Sequence, residues 1–122
     1  YCHTSSRYYI CPTVHTARNF VETVDFITIP GHLSGPAAKR DAGLVNEGPR
    51  LVVTPRAVMD FDKTTLRMRL KSVHAGNTPE EVQRHTGFDL AIRGEVPQTR
   101  PPTEEELRVL RERIDTSGAL RA

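Results

Sequence analysis

The chain has 122 residues, of which 37% are apolar and 26% are charged, and this balance is typical of one globular domain. Its net charge of +2 and its low aromatic content, 6%, give no indication of nucleic-acid binding, although an anionic small molecule remains possible. No apolar run approaches the roughly 18 residues that a membrane-spanning helix needs, and no secretory signal opens the chain. We therefore expect a cytoplasmic protein with no membrane partner.

The first half of the chain contains two strand-like runs. RYYIC (7–11) is β-branched and aromatic, is followed by Pro12, and predicts a short strand. VDFITI (24–29) is almost continuously apolar, which predicts a strand covered on both faces, as in a parallel sheet. TARNFVE between them predicts one helical turn. GHLSGPAAKRDAG, which follows, predicts a loop that includes a turn of helix at PAAKRDA.

The middle of the chain predicts a β-hairpin. RLVVT (50–54) begins a strand that Pro55 interrupts, because proline cannot donate a ladder hydrogen bond. AVMDF (57–61), the turn DKTT and LRMRLKSV (66–73) then predict two antiparallel strands. In the second strand, apolar residues alternate with basic ones, so we expect one buried face and one solvated basic face. The two sets are Leu66, Met68 and Leu70, and Arg67, Arg69 and Lys71.

Two helices are predicted by capping boxes. Thr78 and Glu81 form the first box in NTPEEVQRHTG, and Gly87 is expected to end that helix in the left-handed conformation. Thr103 and Glu106 form the second box in PPTEEELRVLRERID. The acidic clusters at both helix starts complement the helix dipole, so no catalytic role is assigned to them. The apolar face of the second helix carries Leu107, Leu110 and Ile114.

Two connecting segments complete the prediction. FDLAI (88–92) alternates apolar and polar residues and predicts a short strand. EVPQTRPP (95–102) predicts an extended linker that keeps the last helix at a fixed distance from the body of the domain. The sequence contains no Gly-rich phosphate-binding loop of either common type.

A cluster of potential zinc ligands lies near the start of the chain. Thiolates and imidazoles bind zinc, but the spacing of these residues follows neither of the paired patterns of zinc sites. Two cysteines are also too few for a disulfide framework. No metal site is therefore predicted, and a small zinc-binding domain is kept as an alternative. Its ligands would be Cys2, His3, Cys11 and His15.

Four segments occur in an order and spacing that are found together in one enzyme family. They are RNFVETVDFITIPGH, GPRLVVTPRAVMDFD, RLKSVHAGNTPEEVQRHTGFDL and PPTEEELRVLRERID. Together they resemble the C-terminal half of the β subunit of the heteromeric CoA-transferases. The β subunits of glutaconate CoA-transferase and of the related steroid-ring CoA-thioester hydrolases show the resemblance, which covers residues 7–118. The chain departs from the family pattern at Ile29, Pro55 and Ala75.

The resemblance implies an α/β layered fold, with a mostly parallel sheet, flanking helices, a β-hairpin and a C-terminal helix. Residues 1–122 are then expected to form the C-terminal part of a β-subunit domain. The resemblance also implies an acyl-CoA as ligand and, as partner, an α-type subunit. Coenzyme A is then a substrate, and no cofactor is expected. Because the chain begins at Tyr1 and not at Met, we expect a fragment of a longer protein.

The candidate substrate-binding residues are Gly31, His32 and Gly35, in the loop after VDFITI. Open α/β sheets bind ligands beyond the carboxyl ends of their strands, and glycine allows a ligand to approach the backbone closely. His32 could hydrogen-bond an acyl carbonyl. The alternative is that the two glycines only turn the chain over a buried subunit contact.

No catalytic residue is assigned. The resemblance implies a glutamate nucleophile that forms a glutamyl-CoA thioester, but no glutamate of this chain matches it. Glu22 matches the family pattern, yet its setting before a strand indicates a surface or interface residue. We therefore expect part of a CoA-transferase or acyl-CoA hydrolase that is inactive alone. A non-catalytic assembly module is the alternative.

Overall fold

The computed structural model describes residues 7–44 and 46–119, and in them four strands form one sheet in the order β1-β2-β3-β4. β1 and β2 are parallel, whereas β2 with β3 and β3 with β4 are antiparallel. The sheet is therefore mixed, and the expectation that it is mostly parallel was wrong. The two later connections are too short for a parallel crossover, so their strands must be antiparallel. The strands are Tyr8–Ile10, Pro49–Val53, Ala57–Phe61 and Met68–Val73.

Polar side chains close both hairpin turns. Thr54 Oγ1 accepts hydrogen bonds from the backbone N–H groups of Arg56 (3.2 Å) and Ala57 (3.1 Å), so the turn that contains Pro55 is satisfied locally. The buried carboxylate of Asp62 accepts the N–H groups of two threonines in the turn that follows it, at 3.0 and 2.9 Å. Both turns are therefore fixed by residues that belong to them, and the predicted hairpin is confirmed.

The described residues include three short α-helices, and the last of them continues into a π-helical turn, Leu110–Ile114. Both predicted capping boxes are confirmed, with reciprocal hydrogen bonds between Thr78 and Glu81 and between Thr103 and Glu106. No helix of the described part is long and apolar enough to cross a membrane. The α-helices are α1 (Pro36–Asp41), α2 (Pro79–Arg84) and α3 (Glu104–Val109).

The hydrophobic core lies on one face of the sheet. Val52, Met59 and Leu70 are cross-strand neighbours in register and are all buried. Val82 of α2 is fully buried against this face, as is Met59. Burial of each such side chain contributes about 1.5–3 kcal/mol, so this face accounts for much of the stability of the domain.

VDFITI (24–29) is not a strand, which contradicts the prediction. Its backbone forms no hydrogen bond within the described residues, and Phe26 and Ile27 are 79% and 67% exposed. The physical reason is that a strand needs a neighbour for its N–H and C=O groups, and the described strands do not provide one.

FDLAI (88–92) is also not a strand, because a side chain takes the place of a partner strand. Gln83 Nε2 donates to the carbonyl of Phe88 at 2.8 Å, and Gln83 Oε1 accepts the N–H of Leu90 at 3.0 Å. Only one bridge, between Ala91 and Arg69 of β4, joins this segment to the described part of the sheet.

The segment 95–102 lies along the outer edge of β4. The N–H of Val73 donates to the carbonyl of Pro97 at 3.1 Å, and the N–H of Thr99 donates to the carbonyl of Val73 at 2.7 Å. The hydroxyls of Ser72 and Thr99 lie 2.7 Å apart. This segment therefore covers that edge of the sheet, and its role as a linker to the last helix stays a prediction.

Gly87 has a different role from the expected one. The helix α2 ends at Arg84 with His85 as its C-cap, and Gly87 does not have a positive φ, so it is not a left-handed stop. Its N–H instead donates to the carbonyl of Phe20 at 2.7 Å. A Cβ at position 87 would lie 2.6 Å from that same oxygen. Glycine is therefore required by the close approach of two backbones.

We predict that Gly87→Ala lowers the free energy of unfolding by about 1–3 kcal/mol, because the added methyl group meets backbone atoms that cannot move independently. Thermal unfolding followed by circular dichroism measures the change. Gly94→Asn is the control: position 94 has a positive φ that asparagine tolerates, and a Cβ there has no neighbour within 4 Å. Equal losses in the two variants would contradict the packing explanation.

Candidate functional site

A groove of about 970 Å³ lies on the face of the sheet opposite the core. Leu51, Asp60 and Arg69 form its floor, because each is next in its strand to a core residue and successive strand residues point to opposite faces. The helix α1 and the segment that connects it to β2 form a wall of the groove.

Two of the three predicted substrate-binding residues line this groove. His32 packs edge-to-face against Phe61, with ring centroids 4.7 Å apart. Gly35 also lines it, and a Cβ at this position would lie 3.8 Å from Cδ1 of Leu66. Gly31, with φ +57°, turns the chain just before His32 and does not line the groove. The binding role of these three residues stays a prediction.

The ring of His32 is held against the backbone of the segment that enters β2. A Cβ on Gly48 would lie 2.7 Å from His32 Nδ1, so the ring fits only because residue 48 is glycine. Burial, followed by the charge of Lys39, lowers the pKa of His32. Its Nε2 is buried and has no hydrogen-bond partner within residues 7–44 and 46–119. A ligand that donates or accepts a hydrogen bond at this nitrogen would satisfy it.

The groove is strongly basic, with seven cations and three carboxylates among its lining residues. Each carboxylate is engaged by an arginine: Glu47 by Arg7 at 2.9 Å, Asp60 by Arg69 at 2.7 Å and Asp62 by Arg93 at 2.7 Å. The remaining basic residues leave an excess of positive charge that favours an anionic ligand. These residues are Lys39, Arg40, Arg50, Lys63 and Lys71.

Lys39 is a buried cation in the groove wall. The residue is 5% exposed, and its Nζ donates to Oδ1 of Asn46 at 2.6 Å. The same oxygen accepts the N–H of Gly48 at 2.9 Å, so Asn46 links the helix α1 to the backbone beneath His32. Burial lowers the pKa of the Lys39 amine, and the nearby charge of Glu47 opposes that effect.

The predicted basic face of β4 is only partly solvated. Arg69 is half-buried in its ion pair with Asp60, and Lys71 is exposed at the groove. Arg67 instead forms a surface ion pair with Glu22 at 2.7 Å, which places Glu22 at the surface, as expected. The hairpin register could have identified the pair between residues 60 and 69 from sequence. The contribution of α1 could not be found that way, because it depends on long-range packing.

His15, one of the candidate zinc ligands, is buried and is hydrogen-bonded to two threonines. Its Nδ1 lies 2.9 Å from Oγ1 of Thr54 and its Nε2 lies 3.0 Å from Oγ1 of Thr86, so both ring nitrogens are occupied. Cys11 is exposed, whereas Cys2 and His3 lie outside the described residues. His15 therefore connects the β2–β3 turn to the end of α2.

No family model matches the chain. The B subunit of glutaconate CoA-transferase of Acidaminococcus fermentans is 36% identical to it over 106 residues, which are 86% of this chain and 40% of the relative. The B subunit of 3-oxoadipate CoA-transferase of Pseudomonas knackmussii is 34% identical over 94 residues, 77% of this chain and 36% of that relative. The chain is homologous to part of the CoA-transferase B subunits. It spans about two fifths of the length of these curated relatives.

Solved structures support the same relationship. The crystal structure of glutaconate coenzyme A-transferase from A. fermentans matches with a TM-score of 0.80 and 34% identity, over 96% of this chain and 45% of that chain. IpdAB from Rhodococcus jostii matches with a TM-score of 0.69 and 31% identity, over 87% of this chain and 41% of that one. The expected α/β fold of a CoA-transferase B subunit is thereby confirmed for the portion that the chain spans.

We predict that Asn46→Ala lowers the free energy of unfolding by about 1–3 kcal/mol, because the buried Lys39 ammonium and the Gly48 N–H both lose their acceptor. Adding Lys39→Met should recover part of the loss, since methionine fills the space without a buried charge. Urea unfolding of the two single variants and the double variant measures the coupling. A loss of stability in the double variant equal to the sum of the two single losses would contradict a direct interaction.

We also predict that stability falls as the pH is lowered from 7 to 5. Burial is the main cause that lowers the pKa of both His15 and His32 below the ordinary value of 6.5, so the unfolded chain takes up protons first. The stability that the two neutral histidines contribute is fully present above about pH 6.5. It is lost as the pH falls from there towards their lower pKa values in the folded state. His15→Gln should flatten the profile by about half. Unfolding midpoints measured from pH 7 to pH 5 test this prediction. A pH dependence of stability that is the same in the wild type and in His15→Gln would contradict it.

Proposed function

We propose that this chain forms part of the B subunit of a CoA-transferase or a CoA-thioester hydrolase and works together with an α-type subunit. The observation that carries the proposal is the match to glutaconate CoA-transferase, in sequence over 86% of the chain and in structure over 96% of it. Both reactions remain in the proposal because the relatives include two transferase subunits and a cholesterol ring-cleaving hydrolase subunit.

The groove has the chemistry that a CoA thioester requires. Coenzyme A carries phosphate groups, and Arg50 and Lys71 are exposed groove cations that form no ion pair with a described carboxylate. His32, Phe61 and Leu66 give one end of the groove an apolar lining suited to the uncharged part of the ligand. The Nε2 of His32 has no hydrogen-bond partner within the described residues, so a hydrogen-bonding group of a ligand that reached this buried atom would satisfy it.

The groove offers binding groups and not a nucleophile. Its carboxylates, Glu47, Asp60 and Asp62, are each held by an arginine, and the contacts of Glu47 and Asp62 lower their pKa values. We propose that the reactive carboxylate belongs to the part of the B subunit that this chain does not match. The chain then binds and orients the thioester and is inactive when isolated.

A cytoplasmic location is part of the same proposal. Cys11 is a free and exposed thiol, which suits a reducing compartment, and coenzyme A esters are metabolites of such compartments.

We predict that coenzyme A binds to the chain and that Arg50→Glu or Lys71→Glu each raises Kd about tenfold, which corresponds to about 1.4 kcal/mol. Isothermal titration calorimetry with free coenzyme A at about 50 and about 200 mM salt measures this, and the wild-type affinity should fall as salt screens the charges. Arg18→Glu is the matched control, because Arg18 is exposed outside the groove and the change in net charge is identical. Equal losses in all three variants would refute binding in the groove.

The activity itself is tested by co-expression with the α-type subunit of A. fermentans glutaconate CoA-transferase and with the part of its B subunit that this chain does not match. Acetyl-CoA with glutaconate is the probe: glutaconyl-CoA indicates transfer, and free thiol without glutaconyl-CoA indicates hydrolysis. We expect one of the two activities in the complex. A stable complex with neither activity would refute the enzymatic proposal and favour the alternative of a non-catalytic assembly module.

A further inference from the structure

Residues 24–29, here called the apolar segment, form an exposed hydrophobic surface. Phe26 is 79% exposed, Ile27 67%, Val24 52% and Ile29 47%. Neighbouring apolar side chains exposed to this extent are unusual on a monomeric protein and mark a surface that another molecule covers.

The backbone of the apolar segment also lacks partners among the described residues. None of its N–H or C=O groups makes a hydrogen bond within the described part of the chain. Six residues rich in β-branched and aromatic side chains, whose backbone groups have no described partner, are suited to pair with another strand.

Both ends of the apolar segment are anchored. Before it, Val21 forms a bridge with Gly87, and Glu22 forms an ion pair with Arg67 at 2.7 Å. After it, the N–H of Leu33 donates to the carbonyl of Pro30 at 3.0 Å, and the next loop residues include His32, which packs on Phe61. The segment is therefore presented from two fixed points of the fold and is not a free tail.

Within the described residues, the sheet also has one open edge. The outer edge of β4 is covered by the bridges at Ala91 and Gln98. β1 has no described neighbour on its outer side, and Tyr9 and Ile10 in it are 57% and 42% exposed. The solved glutaconate CoA-transferase chain, of which this chain covers 45%, contains further protein beyond the matched portion.

We propose that the apolar segment is a docking strand for the part of the B-subunit fold that this chain does not match. The occupant is a polypeptide of that part, whether on the same chain or on another, which pairs with the backbone of residues 24–29 and buries Phe26 and Ile27. The proposal rests on the homology and on the exposed surface, and it is independent of any ligand in the groove.

The test compares two proteins: the chain alone, and a chimera in which it replaces the matched portion of the B subunit of A. fermentans glutaconate CoA-transferase. In the chimera, amide hydrogen exchange of residues 24–29 should slow at least about tenfold relative to the chain alone. Ile27→Asp should lower the Tm of the chimera by about 5–10 °C, and that of the chain alone by less than about 1 °C.

Ile114→Asp is the matched control, because Ile114 and Ile27 are both 67% exposed and undergo the same substitution. It should have a small effect in both proteins. A second arm co-expresses, as a separate polypeptide, the unmatched part of that B subunit together with the tagged chain. The two should co-purify, and Ile27→Asp but not Ile114→Asp should abolish this.

Several results would overturn the proposal. They are equal effects of Ile27→Asp in the chain alone and in the chimera, protection of residues 24–29 that appears only when the α-type subunit is added, and a dimer of the chain alone that Ile27→Asp disrupts. The second result would make the α-type subunit the occupant, and the third a second copy. Loss of coenzyme A binding with docking intact would concern only the proposed function.

Discussion

The structure depends on a core that occupies only one face of a four-stranded sheet within the described residues. Met59 and Val82, both fully buried, bring β3 and α2 together on that face. The backbone contact between Gly87 and Phe20 then fixes where the chain leaves α2. Because the core uses one face, the other remains accessible, and its strand residues form the floor of the basic groove. Stability and the candidate binding surface therefore come from opposite faces of the same strands.

Single polar side chains hold the loops that neither face covers. Gln83 satisfies two backbone groups of the segment after α2, Thr54 and Asp62 close the hairpin turns, and Asn46 connects Lys39 to the backbone below His32. Each provides acceptors or donors that a longer sheet would otherwise supply. Two of these residues, Asn46 and Asp62, line the groove, so its shape is expected to be sensitive to substitutions that leave the core intact.

The sequence predicted the elements whose causes are local. Both capping boxes and the hairpin depend on residues within a few positions of each other, and the structure has them where expected. Predictions failed where the partner has no recognisable sequence pattern: FDLAI bonds to the side chain of the nearby Gln83, and Gly87 is required by the distant backbone of Phe20. The groove depends in the same way on α1 meeting the hairpin. His32 could be singled out because a family pattern includes it, whereas Lys39 and Asn46 have no local signal.

The wrong prediction of a buried strand at residues 24–29 has a specific physical reason. Hydrophobic patterning predicts burial, and this prediction assumes that whatever buries the side chains is present. No element of the described residues covers these apolar side chains. The chain also aligns with less than half of its solved relative. The proposed docking of residues 24–29 would give both observations a single cause, namely a sequence adapted to a larger folded unit than the described residues form. The prediction of a buried strand and the observation of an exposed segment then differ in the presence of a partner and not in the intrinsic preference of the residues.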